Sequence, residues 1–397
     1  MNPITNPYSP GAGTQPPELA GREKLREDVR IAIARIRAGR VAKSVILVGL
    51  RGVGKTVLLD RLRLEAEAAG VFTVRAEAPE NRSLPALLAP QLRLALLRLS
   101  SHANAKDLAQ RGLRALAGLA KALKVKYADI EVGIDFEPEA GLADNGDLEV
   151  DLATVLEQVG MAAKLAGTAV VLFIDELQYV HEAQFGALIA ALHRCAQRSL
   201  PVTIVGAGLP QLLALAGNAK SYAERLFDFP FIGELADSEA RLALEKPASD
   251  EGVRYDADAV EEILRLTHGY PYFLQEWGKH AWDVAVDSPI ALTDVQIASV
   301  QAIAALDESF FRMRFDRTTP KEKQYLRSMA ELGCGPHRSG DIAGMLRKPV
   351  GTVAPLRQSL INKGMVWSPA HGDTAFTVPL FDEFMKRIMP GEDWKNE

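Results

Sequence analysis

Eight consecutive residues, GLRGVGKT at positions 49–56, combine glycines, a lysine and a hydroxyl residue in a spacing suited to phosphate binding. Glycines allow backbone amides to approach an anion closely, Lys55 can reach the outer phosphates of a nucleotide, and Thr56 can ligate Mg²⁺. The pattern G-x-x-x-x-G-K-[ST] is that of a P-loop. We expect the residues that bind ATP or ADP here to be Gly49, Arg51, Gly52, Val53, Gly54, Lys55, Thr56 and Val57.

Two acidic residues, Asp175 and Glu176, directly follow six apolar residues at positions 169–174. A carboxylate at the tip of a buried strand can hold Mg²⁺, and a neighbouring carboxylate can orient the water that attacks a phosphoryl group. We therefore predict that Thr56 and Asp175 are metal ligands. Asp175, Glu176 and Lys55 are the predicted catalytic residues.

The segments around both motifs have the patterns of alternating strands and helices. Positions 44–48 (SVILV) and 202–205 (VTIV), like 169–174, are short apolar runs typical of strands buried on both faces of a parallel sheet. Leucine spacing predicts a helix from position 55, immediately after the P-loop. This order predicts an α/β fold, a P-loop NTPase with a doubly wound parallel sheet.

The chain divides into four predicted parts. Residues 1–18, rich in Pro, Gly, Asn and Thr, are expected to form an extended arm. The ATPase core is predicted over 19–236, with an insertion at 82–146 that includes a β-hairpin or bulge near 125–136. A helical lid domain is expected over 237–317, and a separate module over 318–397.

The C-terminal module has the pattern of three helices followed by two short strands, which predicts a winged helix-turn-helix. Residues 318–390 carry a net charge of +4, whereas the rest of the chain carries −9. A basic module favours double-stranded DNA as a partner, although the same fold could contact protein or form dimers. The candidate DNA-binding residues on and around its third helix are Lys348, Thr352, Arg357, Gln358 and Lys363.

The composition, 48% hydrophobic and 24% charged, is that of an ordinary soluble protein. There is no run of 18 apolar residues, and the first 15 residues lack the pattern of a signal peptide, so we expect a cytoplasmic protein without a membrane partner. Cys195 and Cys334 have no Cys or His neighbours at zinc spacing. We expect both to be buried thiols.

The chain resembles AAA+ ATPases of the origin-recognition-like branch and the related STAND signalling ATPases. The resemblance covers about residues 15–285 and rests on GRE at 21–23, the P-loop, VVLFIDELQ at 170–178, VTIVGAGLP at 202–210 and SYAERLF at 221–227. It implies that Arg22 lies near the adenine and that Arg225 is an arginine finger, which usually acts in a neighbouring subunit's site. A nucleotide-dependent homo-oligomer follows from that role.

Two departures from the origin-recognition pattern predict slow turnover. The strand at 202–205 ends in Gly206-Ala207-Gly208 instead of a polar sensor, and the second sensor arginine is not at its usual place. The segment Gly269-Tyr270-Pro271 resembles the GxP motif of STAND proteins, which implies that Pro271 packs on the nucleotide base. Three functions remain open: a DNA-binding ATPase, a signalling switch whose winged helix contacts protein, and an ATP-responsive transcription regulator.

Overall fold

The computed structural model describes residues 1–11, 13–14, 16, 18–79, 82–124 and 136–395. The chain forms two compact units. We call Arg22–Gly49 with Lys55–Ile232 the sheet unit, and Met1–Gly21, Leu50–Gly54 and Gly233–Glu397 the helical unit. The predicted hairpin near 125–136 lies outside the described residues, except for Phe136.

The sheet unit alternates helices and strands as the sequence predicted. Its elements are α1 (Glu23–Arg37), β1 (Ser44–Gly49), α2 (Lys55–Ala68), β2 (Phe72–Glu77), α3 (Leu84–Ser100), α4 (Lys106–Leu123), α5 (Leu148–Leu165), β3 (Val170–Asp175), α6 (Glu182–Gln197), β4 (Val202–Gly208), α7 (Leu212–Ala219), α8 (Ala223–Leu226), β5 (Phe227–Asp228) and β6 (Phe231–Ile232). The strand order is β2-β3-β4-β1-β5, with β6 also paired to β1. All pairings among these described strands are parallel, which confirms the α/β fold.

The order of the strands decides which sequence motifs meet. Parallel strands end at one edge of a sheet, so Gly49 at the end of β1 and Asp175 at the end of β3 lie along the same edge, with β4 between their strands. Strand β4 extends to Gly208, three residues beyond its predicted end at Val205. The reason is its continued pairing with β1, where Leu47 faces Ala207 and Val48 faces Gly208.

The helical unit contains the predicted helical stretch and the C-terminal module. Its elements are α9 (Asp237–Asp250), α10 (Ala257–Thr267), α11 (Pro271–Val284), α12 (Leu292–Ala305), a π-helical turn (Leu306–Phe311), α13 (Arg312–Asp316), α14 (Pro320–Leu332), β7 (His337–Arg338), α15 (Ser339–Met345), α16 (Val350–Asn362), β8 (Val366–Trp367), β9 (Asp373–Phe376) and α17 (Phe381–Ile388). The predicted capping box is present at α14, where Thr319 and Glu322 each accept a hydrogen bond from the other's backbone N–H.

The C-terminal module contains two elements that the sequence analysis missed. Strand β7 has only two residues and joins β9 in a three-stranded antiparallel sheet of order β7-β9-β8. Helix α17 follows, and its Phe384 is almost fully buried. The expectation of two buried thiols holds for Cys195 but is wrong for Cys334, which is exposed in the loop after α14.

The N-terminal arm packs within the helical unit through Tyr8, which is 3% exposed. Its hydroxyl donates to the backbone carbonyl of Leu244, and Asn6 donates a 2.8 Å hydrogen bond to Asp283. The described part of the arm thus has a defined contact with α9 and α11. Throughout the described ranges, the helices are too short or too polar to cross a membrane.

Candidate functional site

Two predicted metal ligands meet at the sheet edge. The hydroxyl of Thr56, in the first turn of α2, donates a 2.6 Å hydrogen bond to Oδ2 of Asp175, the last residue of β3. Oδ1 of Asp175 accepts a 2.8 Å hydrogen bond from the backbone N–H of Glu176. A hydroxyl and a carboxylate side by side fit Mg²⁺, which prefers oxygen ligands and keeps several waters and substrate phosphates in its shell.

A larger protein cage for a metal is absent from the part of the chain that the structure describes, where no three His, Cys, Asp or Glu side chains cluster as ligands. Asp175 is 7% exposed. Burial raises the pKa of Asp175, and the negative charge of Glu176 raises it further. The hydrogen bond from Thr56 and the positive charge of Lys55 lower it. A bound cation would favour the charged carboxylate, so the electrostatics of the pair suit metal binding.

The loop between β1 and α2 has the conformation that its glycines permit. Gly52 has φ +81° and Gly54 has φ +86°, values in the left-handed region that favours glycine. Val53 between them is buried. Lys55 starts α2, whose N-terminus carries partial positive charge that attracts anions. The remaining predicted nucleotide ligands of this stretch hold the flanking positions: Gly49 ends β1, Arg51 lies in the loop, and Val57 is in the first turn of α2.

Glu176 has an unusual backbone and a side-chain partner that sequence reasoning missed. Its φ of +54° lies in the left-handed region, which a non-glycine residue rarely adopts and which is often found at functional sites. The Nε2 of Gln178 donates to Oε2 of Glu176, and the Oε1 of Gln178 accepts a 3.0 Å hydrogen bond from the N–H of Leu209. Gln178 therefore connects the predicted base to the chain directly after β4.

The same glutamine explains why β4 ends in glycine instead of a polar sensor. A β-carbon at Gly208 would lie 2.8 Å from Oε1 of Gln178 and 2.8 Å from a methyl carbon of Leu212. That approach is too close for any larger residue without displacement of Gln178. The departure noted in the sequence is thus a consequence of packing against the segment that follows β3.

Arg225 lies near the start of β1, at the opposite end of that strand from Gly49. This exposed arginine is on α8, and the next residues form β5, where Phe227 pairs with Ser44 at the start of β1. The loop follows the other end of β1. A six-residue strand spans about 20 Å, so Arg225 and Gly49 are at opposite edges of the sheet.

Arg22 and Pro271 begin helices in different units. Arg22 is the partly exposed N-cap residue of α1 in the sheet unit. Pro271 is the first residue of α11 in the helical unit and is also partly exposed.

The predicted DNA-binding residues fall into two groups. Lys348, Thr352 and Gln358 are exposed, and Gln358 donates a 3.0 Å hydrogen bond to Asn362 one turn later. Arg357 instead donates to Thr374, Ser368 and the carbonyl of Asp373 at 2.7–2.8 Å. These bonds connect α16 to β9 and the turn before it.

Lys363 is also engaged within the C-terminal module. Its ammonium lies 2.7 Å from Oε2 of Glu322 and donates a 3.0 Å hydrogen bond to the carbonyl of Arg317. Glu322 is 2% exposed. Arg357 and Lys363 therefore have structural partners, in contrast to the exposed group.

Comparison with known families gives two matches along the chain. Residues 18–205 match the model described as AAA ATPase domain. Residues 308–385 match a domain of unknown function, DUF8462. The ATPase match contains the loop, Thr56, Asp175, Glu176 and β4 up to Val205. No curated protein matches the chain.

Comparison with solved structures finds similar folds at low sequence identity. A Walker-type ATPase of Pyrococcus abyssi has a TM-score of 0.54 and 15% identity, with 94% of this chain and 97% of that chain covered. The Aeropyrum pernix ORC1 protein in complex with DNA has a TM-score of 0.48 and 16% identity, with 94% of each chain covered. The Thermotoga maritima RuvB Holliday junction branch migration motor has a TM-score of 0.43 and 17% identity, covering 96% and 99%. The first similarity supports the fold alone, the parallel α/β fold of a P-loop NTPase.

Proposed function

We propose that this protein binds ATP with Mg²⁺ and hydrolyses it slowly, so that the bound nucleotide acts as a conformational switch. The observation that carries this proposal is the 2.6 Å hydrogen bond between Thr56 and Asp175. This bond joins the P-loop motif to the acidic residues after the apolar run, more than one hundred residues later in the chain. It brings together a hydroxyl and a carboxylate, the two protein groups that bind nucleotide-bound Mg²⁺. The loop conformation of Gly52 and Gly54 supports it.

Each residue of the site has a separate role in this proposal. The backbone of residues 49–54 and the N-terminus of α2 bind phosphate, Lys55 contacts the outer phosphates, and Thr56 and Asp175 hold Mg²⁺. When bound, Mg²⁺ supplies charge neutralisation for the transferred phosphoryl group. Glu176 orients the attacking water and accepts its proton. We expect Arg22 and Pro271 to lie beside the adenine, as the resemblance implies.

We expect slow turnover because the end of β4 lacks a polar side chain that could contact the outer phosphate. Glycine occupies positions 206 and 208, so the described part of β4 ends without a side chain that could report on the outer phosphate. Gln178 links Glu176 to Leu209 in that region. A nucleotide that stays bound for a long time can hold one conformation, which is the behaviour of a switch.

The test compares two variants that separate binding from hydrolysis. Lys55→Ala should abolish ATP binding, because it removes a direct phosphate contact. Glu176→Gln should keep ATP affinity and stop hydrolysis, because only the action on water is lost. Affinity is measured by titration calorimetry and turnover by phosphate release. Equal loss of affinity in both variants would refute the role given to Glu176.

A second proposed activity is binding of double-stranded DNA by the C-terminal module as a winged helix. Three helices, α14 to α16, are followed by antiparallel strands, and α16 would serve as the recognition helix. Lys348 and Thr352 are exposed just before and early in α16, and Gln358 is exposed on its later turns. Arg357 and Lys363, which have partners within the module, would support its structure.

DNA binding is tested on the full chain by duplex retention at several salt concentrations. Affinity should fall by about 0.9 log units per log unit of salt for each phosphate neutralised. Lys348→Ala should weaken binding and lower the slope of log affinity against log salt by the amount expected for about one phosphate contact. Stimulation of ATP hydrolysis by DNA would favour the DNA-binding ATPase over a transcription regulator. Absence of retention at low salt would favour the signalling switch, in which the module contacts protein.

A further inference from the structure

A stack of aromatic and basic side chains connects α11 to α13 within the helical unit. The rings of Tyr272 and Phe310 are stacked, with centroids 4.5 Å apart and an angle of 20° between planes. The guanidinium carbon of Arg314 lies 3.8 Å from the centroid of the Phe310 ring. Arg314 also donates a hydrogen bond to the carbonyl of Phe310. Cation–π contact and this bond fix the position of the guanidinium.

The same stack contacts Leu50–Gly54, the part of the loop after β1 that belongs to the helical unit; we call it the glycine loop. The N–H of Tyr272 donates a 3.2 Å hydrogen bond to the carbonyl of Gly52. A β-carbon at Gly52 would lie 3.0 Å from a ring carbon of Tyr270 and 3.2 Å from Cβ of Tyr272. Only glycine allows α11 to approach the loop so closely. The start of α11 is therefore in direct contact with phosphate-binding backbone.

Tyr270 has a buried hydroxyl that lacks a partner among the described residues. The residue is 2% exposed, and its OH makes no hydrogen bond there. Burial raises the pKa of Tyr270, so the hydroxyl keeps its proton and remains a donor. A buried hydroxyl without a partner costs folding free energy. Such a group is explained if a ligand oxygen accepts its proton when the site is filled.

Arg314 has no acidic partner within the described ranges. None of their carboxylates lies within salt-bridge distance of it, although most of the other helical-unit arginines between 241 and 316 pair with one. Burial, followed by the like charge of Arg51 in the loop, lowers the pKa of Arg314 to about 10. A largely buried guanidinium without a carboxylate beside it favours the binding of an anion.

We propose that Arg314 and the hydroxyl of Tyr270 bind the outer phosphates of the nucleotide held by the glycine loop. This inference rests on the proposed ATP binding and assigns two contacts that lie outside the matched ATPase domain, residues 18–205. A guanidinium donates several hydrogen bonds to phosphate oxygens, and the tyrosine hydroxyl donates one. Arg314 and Tyr270 would therefore recognise the β- and γ-phosphates and make no contact with the base.

The location of Arg314 gives the contact a mechanical consequence. It follows the π-helical turn, whose Phe311 packs against Phe381 and Phe384 of α17 with ring centroids 5.7 and 5.3 Å apart. Arg387 of α17 also pairs with Asp307 in that turn at 2.7 Å. A phosphate that binds Arg314 would therefore change the position of the π-helical turn, and this turn contacts α17 of the C-terminal module. π-helical turns are frequent at functional sites.

The first experiment measures the affinities of ATP, ADP and AMP by calorimetry for Arg314→Ala and the control Arg312→Ala. Arg312 is on the same helix, is exposed and pairs with Asp316. Arg314→Ala should weaken ATP about ten- to a hundredfold, the range for loss of a charged hydrogen bond. AMP, which lacks the outer phosphates, should bind Arg314→Ala as it binds wild type, and Arg312→Ala should bind all three nucleotides normally.

The second variant, Tyr270→Phe, keeps the ring and removes only the hydroxyl. ATP affinity should fall severalfold, while the thermal midpoint of the nucleotide-free protein stays equal or rises, because an unsatisfied buried group has been removed. This opposite response of binding and stability is not expected of a packing defect. It also keeps the proposal testable if Arg314→Ala does not fold.

Three negative outcomes can be distinguished. If wild type binds ATP in a manner that Lys55→Ala abolishes, while Arg314→Ala and Tyr270→Phe bind ATP normally, the inference is refuted and the proposed function stands. If wild type binds no nucleotide, the proposed function fails and the inference fails with it. An equal loss of ATP and AMP affinity in Arg314→Ala would indicate a general disturbance of the site and would also refute the phosphate contact.

Discussion

Gln178 donates a hydrogen bond from its side-chain amide to the carboxylate of Glu176, only two residues earlier in the chain. The other end of the amide accepts the N–H of Leu209. The carboxylate that we assign as the base is thus held by a residue that is itself anchored after β4. The orientation of the Glu176 carboxylate therefore depends on its contact with Gln178 and on the hydrogen bond between Gln178 and Leu209.

We predict that Gln178→Ala lowers turnover on the order of tenfold with unchanged ATP affinity, because a misplaced base loses part of its contribution to the rate. Phosphate release and calorimetric titration measure the two quantities. Gln178→Glu should in addition shift the acid limb of the pH–rate profile to higher pH, since a second carboxylate raises the pKa of the pair. A parallel fall of affinity and turnover, with no change in the pH profile, would show that Gln178 only supports the fold.

Asp175→Asn should stabilise the nucleotide-free protein at neutral pH and remove the effect of Mg²⁺ on nucleotide binding. Burial raises the pKa of Asp175 in the folded protein. Its contribution to stability is therefore fully present below the ordinary pKa of aspartate and is lost as pH rises through the folded-state value. Thermal midpoints between pH 4 and pH 8 test this, with the exposed Asp28→Asn as control. A midpoint of Asp175→Asn that falls below wild type throughout would contradict the prediction.

Arg225 should contribute to turnover in a neighbouring subunit, because it lies near the start of β1, at the opposite sheet edge from Gly49. Arg225→Ala and Glu176→Gln should each be inactive alone. A mixture should recover partial activity at sites that combine an intact base with an intact arginine. Activity is measured at concentrations where light scattering shows assembly. Assembly without recovery would assign Arg225 a structural role.

The Glu322–Lys363 pair should stabilise the C-terminal module in a pH-dependent manner. Burial raises the pKa of Glu322, but hydrogen bonds from Lys363, Ser359 and Thr319 lower it to about 2. The stabilisation is present above about pH 4.5 and is lost as pH falls towards 2. Lys363→Ala should cost on the order of 2 kcal/mol at pH 7, less than a fully buried pair because Lys363 is 29% exposed.

The matched control for Lys363→Ala is Lys348→Ala, whose lysine is exposed at the start of α16. It should leave the free energy of unfolding within about 0.5 kcal/mol of wild type. Denaturant titration at pH 7 and pH 3 measures both variants. Equal stability of the two, or a loss in Lys363→Ala that is the same at both pH values, would argue against the pair.

Local patterns determined which segments form the sheet and which residues lie at its edge. Apolar runs at 44–48 and 169–174 became β1 and β3, and the helix after the loop starts at Lys55. These features depend on the periodicity of apolar side chains and on glycines within a few residues, so they can be predicted from the local sequence. The pairing of Thr56 with Asp175 followed from them because parallel strands share one carboxyl edge.

Tertiary structure alone decided which polar groups acquire partners. Arg357, Gln358 and Lys363 look alike as candidates on and directly after one helix. Two of them nevertheless bind within the module and one is exposed, because β9 and α14 pack on one side of α16. The same holds for Arg314, whose position depends on its contact with Phe310 and on the stacking of Phe310 on Tyr272, which is distant in the sequence. Such contacts depend on packing between segments that are distant in the sequence. The local periodicity of side chains does not predict this packing.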